Sequence, residues 1–462
     1  MATRTLDWRR GPLSISLPDE QTRVLTKPDL PMLGTPVELV ERALADPIGC
    51  PRLEQMARPG DRVALLVTDM QDTVFGQQGV GLYLLNRLNA AGVPDERITL
   101  VHAAGMHGHP GARAKIGEAI LQRVRYLEHD PMDERAVTYV GMTRAGTPVW
   151  VNTVVAEADL VVGVGACSPS LYGYQGGGGI ILPGVAGNDT VRRNHTKIMT
   201  NRTSSCWGPG NPMREDVMDA ADFVRLRLKI DFTANTVFAG YFREEWPVAV
   251  RYLQQHAMTP VAPADIYLFA PANSGELMSM YMQIELAEEA AKRDGVIIAC
   301  ISAARHQPLS NRPLAETLQE FVECTAQWTR LSDDGRAAHE HWRRRDMVCK
   351  EELLARSLDE ITRLVTRMEG EPRSTTHVWS HKRCILNRRT VLVTEGVTPE
   401  EGERFGFRLV TDSFDEALRY ARAHAGPSPR IIANLPPTNA VPWVERRDEA
   451  DAGMLREAAH SP

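Results

Sequence analysis

Little in this chain would tie it to a membrane, a disulfide scaffold or a polyanion. No apolar run approaches the ~18–20 residues that cross a bilayer. The opening MATRTLDWRRGPLSISLPDE lacks the apolar core of a secretory leader. Cysteine is sparse, with seven residues scattered at 50, 167, 206, 300, 324, 349 and 384 and never spaced CxxC. That excludes a cysteine-based structural zinc site or a disulfide framework and fits a reducing compartment. A net charge of −6 over 462 residues leaves no basic surplus to attract nucleic acid. No internal repeat is evident. A soluble cytoplasmic protein is expected, acting on a small molecule, with neither a nucleic-acid nor a membrane partner.

Glycine, in contrast, is concentrated. Between Ala166 and His195 it occupies 173, 176 to 179, 184 and 187, a density that regular helix or strand does not tolerate. The run Asp159 to Gly165 before it reads as a buried strand, and Asn188 or Asp189 after it can cap a helix with His195 near its middle. A strand, a glycine loop and a capped helix together can present backbone N–H groups to an anion, usually a phosphate. A flexible surface loop is the simpler alternative, but the apolar insert Ile180-Ile-Leu-Pro183 argues for an anchored one.

Elsewhere apolar strands alternate with helices. Strands are expected at Arg62–Thr68, Ile98–Ala103, 137–140, 148–152, 160–165 and Phe232–Phe238. Helices are expected at Pro36–Leu44, Leu82–Ala91, Arg113–Tyr126, Asn211–Leu228 and Arg243–Gln255. After Pro260-Val-Ala-Pro263 the alternation resumes, with a long charged helical stretch from Leu314 to Met368 and a frayed tail after Val444. The expected fold is therefore α/β, with two domains (1–259 and 260–462), mainly parallel sheets and a site in the cleft between them. Sites in such sheets form beyond the C-terminal strand ends. There Asp69 with Asp72, His107 with His109, and the glycine loop with His195 would share one sheet edge.

Read together, GYQGGGGIILPGVAGNDTVRRNH (173–195), AAGMHGHP (103–110), VTDMQDTV (67–74), GNPMREDVMDAA (210–221) and APANSGELMSMYMQIELAEEA (270–290) resemble the nickel-dependent lactate racemase family. The closing VLVTEGVTPEEGERFGF and IIANLPPTNAVPW segments continue the resemblance. It implies two α/β domains around a pyridinium nucleotide whose nickel is held by two sulfurs, a ring carbon and one histidine. The ring carbon takes hydride from the substrate carbon while a histidine takes the hydroxyl proton. By resemblance, His195 falls at the nickel ligand and His107 at one acid/base histidine. Gln175, Gly176 and Gly177 fall on the phosphate-contacting loop, with Gly178 beside them, and Asp69 lies near the nucleotide.

The departures matter as much. Gly179 stands where the family has the lysine that tethers the cofactor, so a nickel-pincer nucleotide would bind non-covalently. The second acid/base histidine would fall near Pro169. Asp72 stands for the substrate-binding arginine, and Met282 and Glu285 for a glutamine and a lysine lining the substrate site. A unit charge pair at ~4 Å is worth about 4 kcal/mol at an effective dielectric of ~20. Replacing two cations by two carboxylates would thus repel lactate and favour a neutral or cationic substrate, or one brought with a metal.

Each candidate has a plainer reading. His195 could be a core histidine, and His107 and His109 a solvated turn pair, although imidazoles suit proton transfer near neutrality. Tyr172 and Tyr174 could supply the lost acid/base group or simply pack. Cys167 could meet a soft metal or lie buried and inert. The cluster His377, Trp379 and His381 in THVWSHKRC reads as surface rather than metal site. The expected activity is racemase- or epimerase-type hydride and proton transfer at a hydroxyl-bearing carbon, not on lactate itself. The alternative is a relative that has lost the nickel cofactor and binds an ordinary nucleotide or another metal.

Overall fold

Two six-stranded sheets, each buried on both faces, organise the molecule, a computed structural model that describes residues 2–6, 8, 11–200, 208–310, 312–330, 336–437 and 439–444. The expected tail after Val444, and Cys206, lie outside the described residues. The first sheet runs Val237–Gly240, Leu226–Phe232, Leu160–Ala166, Val63–Val67, Ile98–His102, Arg125–Glu128, parallel except for its Val237–Gly240 edge. The second runs Leu409–Thr411, Arg389–Val393, Ala291–Cys300, Ala264–Phe269, Ile431–Asn434, Thr22–Val24, all parallel.

Burial explains the sheets. In Val63–Val67 every side chain is buried: Ala64 and Leu66 join one apolar layer, Val63, Leu65 and Val67 the other. Parallel strands covered on both faces read as continuous apolar runs, which is how these were found. The helices Pro36–Ala45 and Val80–Ala90 cover one face of the first sheet, and Pro212–Asp222 and Phe242–His256 the other. The second sheet is covered on one side by Tyr281–Ala290 and a four-helix layer, Leu314–Trp328, Arg336–Leu354, Leu358–Thr366 and Pro372–Asn387. On its other side lie Phe414–Ala425 and the N-terminal hairpin Ala2–Leu6/Leu13–Leu17, whose Leu6, Ile15 and Leu17 are buried there.

Several elements differ from those read in the sequence. Arg125–Glu128 is an edge strand rather than the end of a helix, and the preceding helix is two short pieces, Ala112–Ile116 and Glu118–Leu121, broken at Gly117 (φ +84°). The helix beginning at Pro212 stops at Asp222, so Arg225 and Arg227 do not close its C-terminal turn, and Lys229 lies in strand Leu226–Phe232. Val137–Met142 and Pro148–Asn152 form a separate antiparallel hairpin. The first residues belong with the second sheet: Thr22–Val24 pairs with Ile431–Asn434, so the chain begins in one half, builds the other, and returns.

Candidate active site

Three neighbouring parallel strands end at one cavity of about 370 Å³. Thr68 and Asp69 follow the first strand, Ala103 to His107 the second, and Gly165 and Ala166 close the third. The second half supplies Tyr281, Arg373 and His377 to the same wall. The volume lies within the ~300–1,000 Å³ of small-molecule sites.

His195 is buried yet lines this cavity. It is the last residue of the eight-residue helix Asn188–His195 rather than a mid-helix residue, and the helix is preceded by Gly187 with no side-chain cap. Its Nδ1 has no hydrogen-bond partner, and the Tyr172 ring meets it edge-on at 4.5 Å. Burial, reinforced by Arg373, pushes the imidazole down to about 3, so the ring is neutral and able to donate a lone pair. Among the described residues no group of three or more His, Cys, Asp or Glu side chains could hold a metal ion. A metal at His195 would take its other donors from a bound ligand, which is the donor set the resemblance implies.

His107 is half exposed at the cavity mouth, with Nδ1 2.7 Å from Asp69 Oδ2. Burial pushes the Asp69 carboxyl up, but His107, His102 and the Met70 amide outweigh it and hold Asp69 at about 2. The carboxylate therefore fixes the imidazole with Nε2 free.

His109 lies elsewhere. It is buried, its Nε2 donates to the His129 carbonyl at 2.8 Å, and its Nδ1 faces Nδ1 of His102. Burial, with His102 beside it, pushes it down to about 3. His102 Nε2 in turn sits 2.6 Å from Asp72 Oδ1. Asp72 is therefore not a substrate-facing acid of the main cavity. It is a buried partner of His102, with Lys115 Nζ 3.7 Å away. This cluster lines a neighbouring cavity of about 240 Å³, which shares Asp69, His107 and Arg373 with the first and is closed by Trp328 and Trp342.

The glycine loop divides into two parts. Gly176 and Gly179 line the cavity. Gly177 and Gly178 do not: a Cβ on Gly177 would meet Met218 Cε at 2.7 Å, and one on Gly178 would meet Ala221 Cβ and the Val217 carbonyl at 3.0 Å. Their amides are also engaged, Gly177 N–H with Asp231 Oδ2 at 2.7 Å and Gly178 N–H with Met218 Sδ at 3.4 Å, while Gly179 N–H donates to the Gly176 carbonyl at 3.0 Å. These three amides are closed to a phosphate, so the amide cradle read from the sequence is not formed. The Gln175 side chain lines the cavity and accepts from Ser168 Oγ at 2.9 Å.

Positive charge compensates. Beside Gly179, Arg214 lies 3.5 Å from where a Cβ would stand. Its Nη2 donates to the Gly176 carbonyl at 2.7 Å, and its guanidinium stands 5.0 Å over the Trp246 ring. Burial brings it down to about 10, still cationic at neutral pH. Lys229 projects from the neighbouring strand onto Asp231 and also lines the cavity. Among the described lining residues Asp69 is the one acid, against Arg214, Lys229 and Arg373.

The remaining candidates sit as follows. Met282 and Glu285 do not line the cavity; Glu285 is buried against Ser380, and Tyr281 faces the cavity instead. Tyr172 donates to Thr376 Oγ1 at 2.9 Å, since that hydroxyl's own hydrogen goes to the Pro372 carbonyl at 2.6 Å. Burial holds its phenol well above the usual range, and the ring lines the cavity against His195 and His377. Cys167 is buried, and burial pushes its thiol up, so it behaves as an inert apolar side chain. THVWSHKRC is not surface: His377 and His381 are buried on helix Pro372–Asn387, and His377 reaches the cavity. Of the cavity groups not singled out in the sequence, Lys229 is signalled by the alternation LRLKIDF, whereas Arg373 carries no local signal, and His377, which reads as surface in the sequence, is brought to the cavity by packing.

A fold of two doubly covered parallel sheets, with a histidine, an Asp–His pair and three cations at one strand-end cavity, defines the class. Residues 8–208 match the lactate racemase N-terminal domain. The lactate racemase of Lactiplantibacillus plantarum is 26% identical over 284 residues, covering 58% of this chain and 66% of that protein, just short of two thirds of its length. The lactate racemase of Thermoanaerobacterium thermosaccharolyticum is 24% identical over 327 residues, covering 66% and 76%. The solved lactate racemase apoprotein from Thermoanaerobacterium thermosaccharolyticum superposes with a TM-score of 0.70 at 20% identity, over 96% of this chain and 100% of that one. The chain therefore carries a lactate racemase N-terminal domain over residues 8–208, and it is similar to the lactate racemases in sequence and in fold beyond it.

Proposed function

We propose that the chain is a racemase- or epimerase-type enzyme that inverts a hydroxyl-bearing carbon with a nickel-pincer pyridinium nucleotide seated non-covalently in the main cavity. The observation that carries this reading is His195 itself, a buried, neutral imidazole at the cavity wall whose hydrogen-bonding neighbour among the described residues is the Val191 backbone one turn back, with no side chain to serve. His195 would ligate the metal, and Arg214 and Lys229 would neutralise the phosphate in place of the engaged glycine amides. When bound, the group supplies the hydride acceptor. His107 accepts the hydroxyl proton on Nε2, and Asp69 stabilises the imidazolium that results. The tethering amine is missing at Gly179, and Arg214 occupies the space beside it.

The charge of the wall also revises the substrate class. Asp72 and Glu285 do not face the main cavity, so the repulsion argued from the sequence does not arise there. Asp231 and Glu371 pair with Lys229 and Arg373 without lining the cavity, so the wall itself presents cations and favours an anionic hydroxy acid.

Purifying the protein from cells that also make the cofactor-building enzymes tests the reading. Stoichiometric nickel with visible absorption is expected, and His195→Ala should lose both while keeping its fold. A colourless, nickel-free protein that still binds a nucleotide would establish the alternative, a relative that has lost the nickel cofactor.

A further inference from the structure

We propose that Arg373 and His377, one turn apart on helix Pro372–Asn387, form the substrate-anchoring pair: Arg373 grips a carboxylate and His377 hydrogen-bonds the adjacent 2-hydroxyl. This rests on the reading of the main cavity as the reaction site and assigns its substrate-binding groups to an element the sequence comparison did not indicate.

Arg373 is the cation of the wall that the phosphate reading leaves over. Arg214 holds the Gly176 carbonyl through Nη2 and lies beside the glycine loop, and Lys229 is paired with Asp231. Arg373 has one ion pair, from Nε to Glu371 Oε1 at 3.3 Å, and its terminal amino groups have no hydrogen-bond partner among the described residues. Glu371 is itself fixed, accepting the Ser374 N–H at 2.7 Å, and the guanidinium lies 4.9 Å over the Trp342 ring. The planar fork is thus held at Nε and over one face, and Arg373 lines both cavities, so its terminal amino groups are available for bidentate binding of a carboxylate.

His377 supplies the second, independent observation. It is only 7% exposed, and neither ring nitrogen has a hydrogen-bond partner. A buried polar group left unsatisfied is rare and costly. Here it lines the cavity between the rings of Tyr172 at 5.4 Å and Tyr281 at 5.3 Å. Burial keeps the ring neutral, so it offers one lone pair and one N–H, the complement of an alcohol. It stands in the second half of the molecule, whereas His107 projects from the first, so a substrate held by Arg373 has an imidazole from each half. That replaces the histidine missing near Pro169.

Saturation-transfer NMR on the full apo chain tests the assignment, using lactate, malate and mandelate and their deoxy partners propionate, succinate and phenylacetate. Binding of nicotinic acid mononucleotide serves as the fold and cofactor-pocket control. The hydroxy acid bound most tightly should weaken about tenfold or more in Arg373→Gln, with partial recovery in Arg373→Lys. His377→Phe should keep carboxylate binding but lose the preference for the hydroxy acid over its deoxy partner, a selectivity that a purely structural histidine would not move. All variants should bind the mononucleotide as the wild type does. Wild-type protein that binds the mononucleotide but none of the acids, or variants that bind the acids unchanged, would overturn the pair. Acid binding that depends on Arg373, without any mononucleotide binding, would support the pair and overturn the cofactor reading instead.

Discussion

Asp72 shows how a substituted charge changes meaning once its surroundings are known. By its place in the sequence it replaces a substrate-binding cation; in the structure it is 2% exposed and partners His102, which faces His109. His109 donates through Nε2 to the His129 carbonyl, so its Nδ1 is an acceptor and His102 must bring the proton between them. The Asp72 carboxyl group closes this buried chain on the far side of the His102 ring. Asp72→Asn should therefore leave ligand charge preference unchanged while lowering stability by about 3 kcal/mol, because the pair is buried and loses one partner. Urea unfolding and acid-binding titrations on the same variant separate these outcomes. A reversal of charge preference would restore Asp72 to the substrate site.

At the scale of elements, one carboxylate ties the glycine loop to a strand of the first sheet. Asp231 accepts the Gly177 amide on Oδ2 and the Lys229 ammonium on Oδ1, joining loop and strand Leu226–Phe232 in a fully buried spot. Asp231→Ala leaves that ammonium without its counter-charge, and a loss of about 3–5 kcal/mol is expected in chemical unfolding. Lys229→Met combined with Asp231→Leu should recover much of it. How far such elements were legible depends on their burial. The strands at 63, 98 and 160 are buried along almost all their length and were visible as apolar runs. Arg125–Glu128 is a half-wet edge strand with the sequence RYLE, and Leu226–Phe232 alternates cations with leucine, so both resembled helix ends. The site was legible where chemistry and chain proximity coincided, at His107, Asp69 and His195. Arg373 and His377 were not, because packing brings them to the cavity from about 180 residues beyond His195, and no local pattern records that meeting.

Across the whole molecule, burial of neutral imidazoles predicts marked acid sensitivity. Burial holds His109, His195 and His381 at about 3 and His129 at about 4, against ~6.5 in an unfolded chain. His129 shows the reason: its Nε2 donates to the Ala186 carbonyl at 3.0 Å and its Nδ1 faces the Asn152 amide nitrogen at 3.3 Å, leaving no place for a second proton. Folded values below the unfolded one mean that this stability is complete above pH ~6.5 and is lost as pH falls toward 4 and then 3. Each such group contributes about 1.4 kcal/mol per pH unit within its window. Urea midpoints measured from pH 7 to pH 4.5 should fall steeply, and His129→Gln should flatten the slope by about one proton. A profile level across that range would contradict the neutral, buried assignment.

The strand Thr22–Val24 carries a last consequence. Because Thr22–Val24 lies in one lobe, the polypeptide crosses over before Pro36 to build the other and crosses back between His256 and Ala264, so that among the described residues two covalent bridges join the lobes instead of one. A protease that severs either bridge would leave the halves tethered by the other. Any swing that admits a ligand would have to pivot at both points, which confines it to rotation about the line between them.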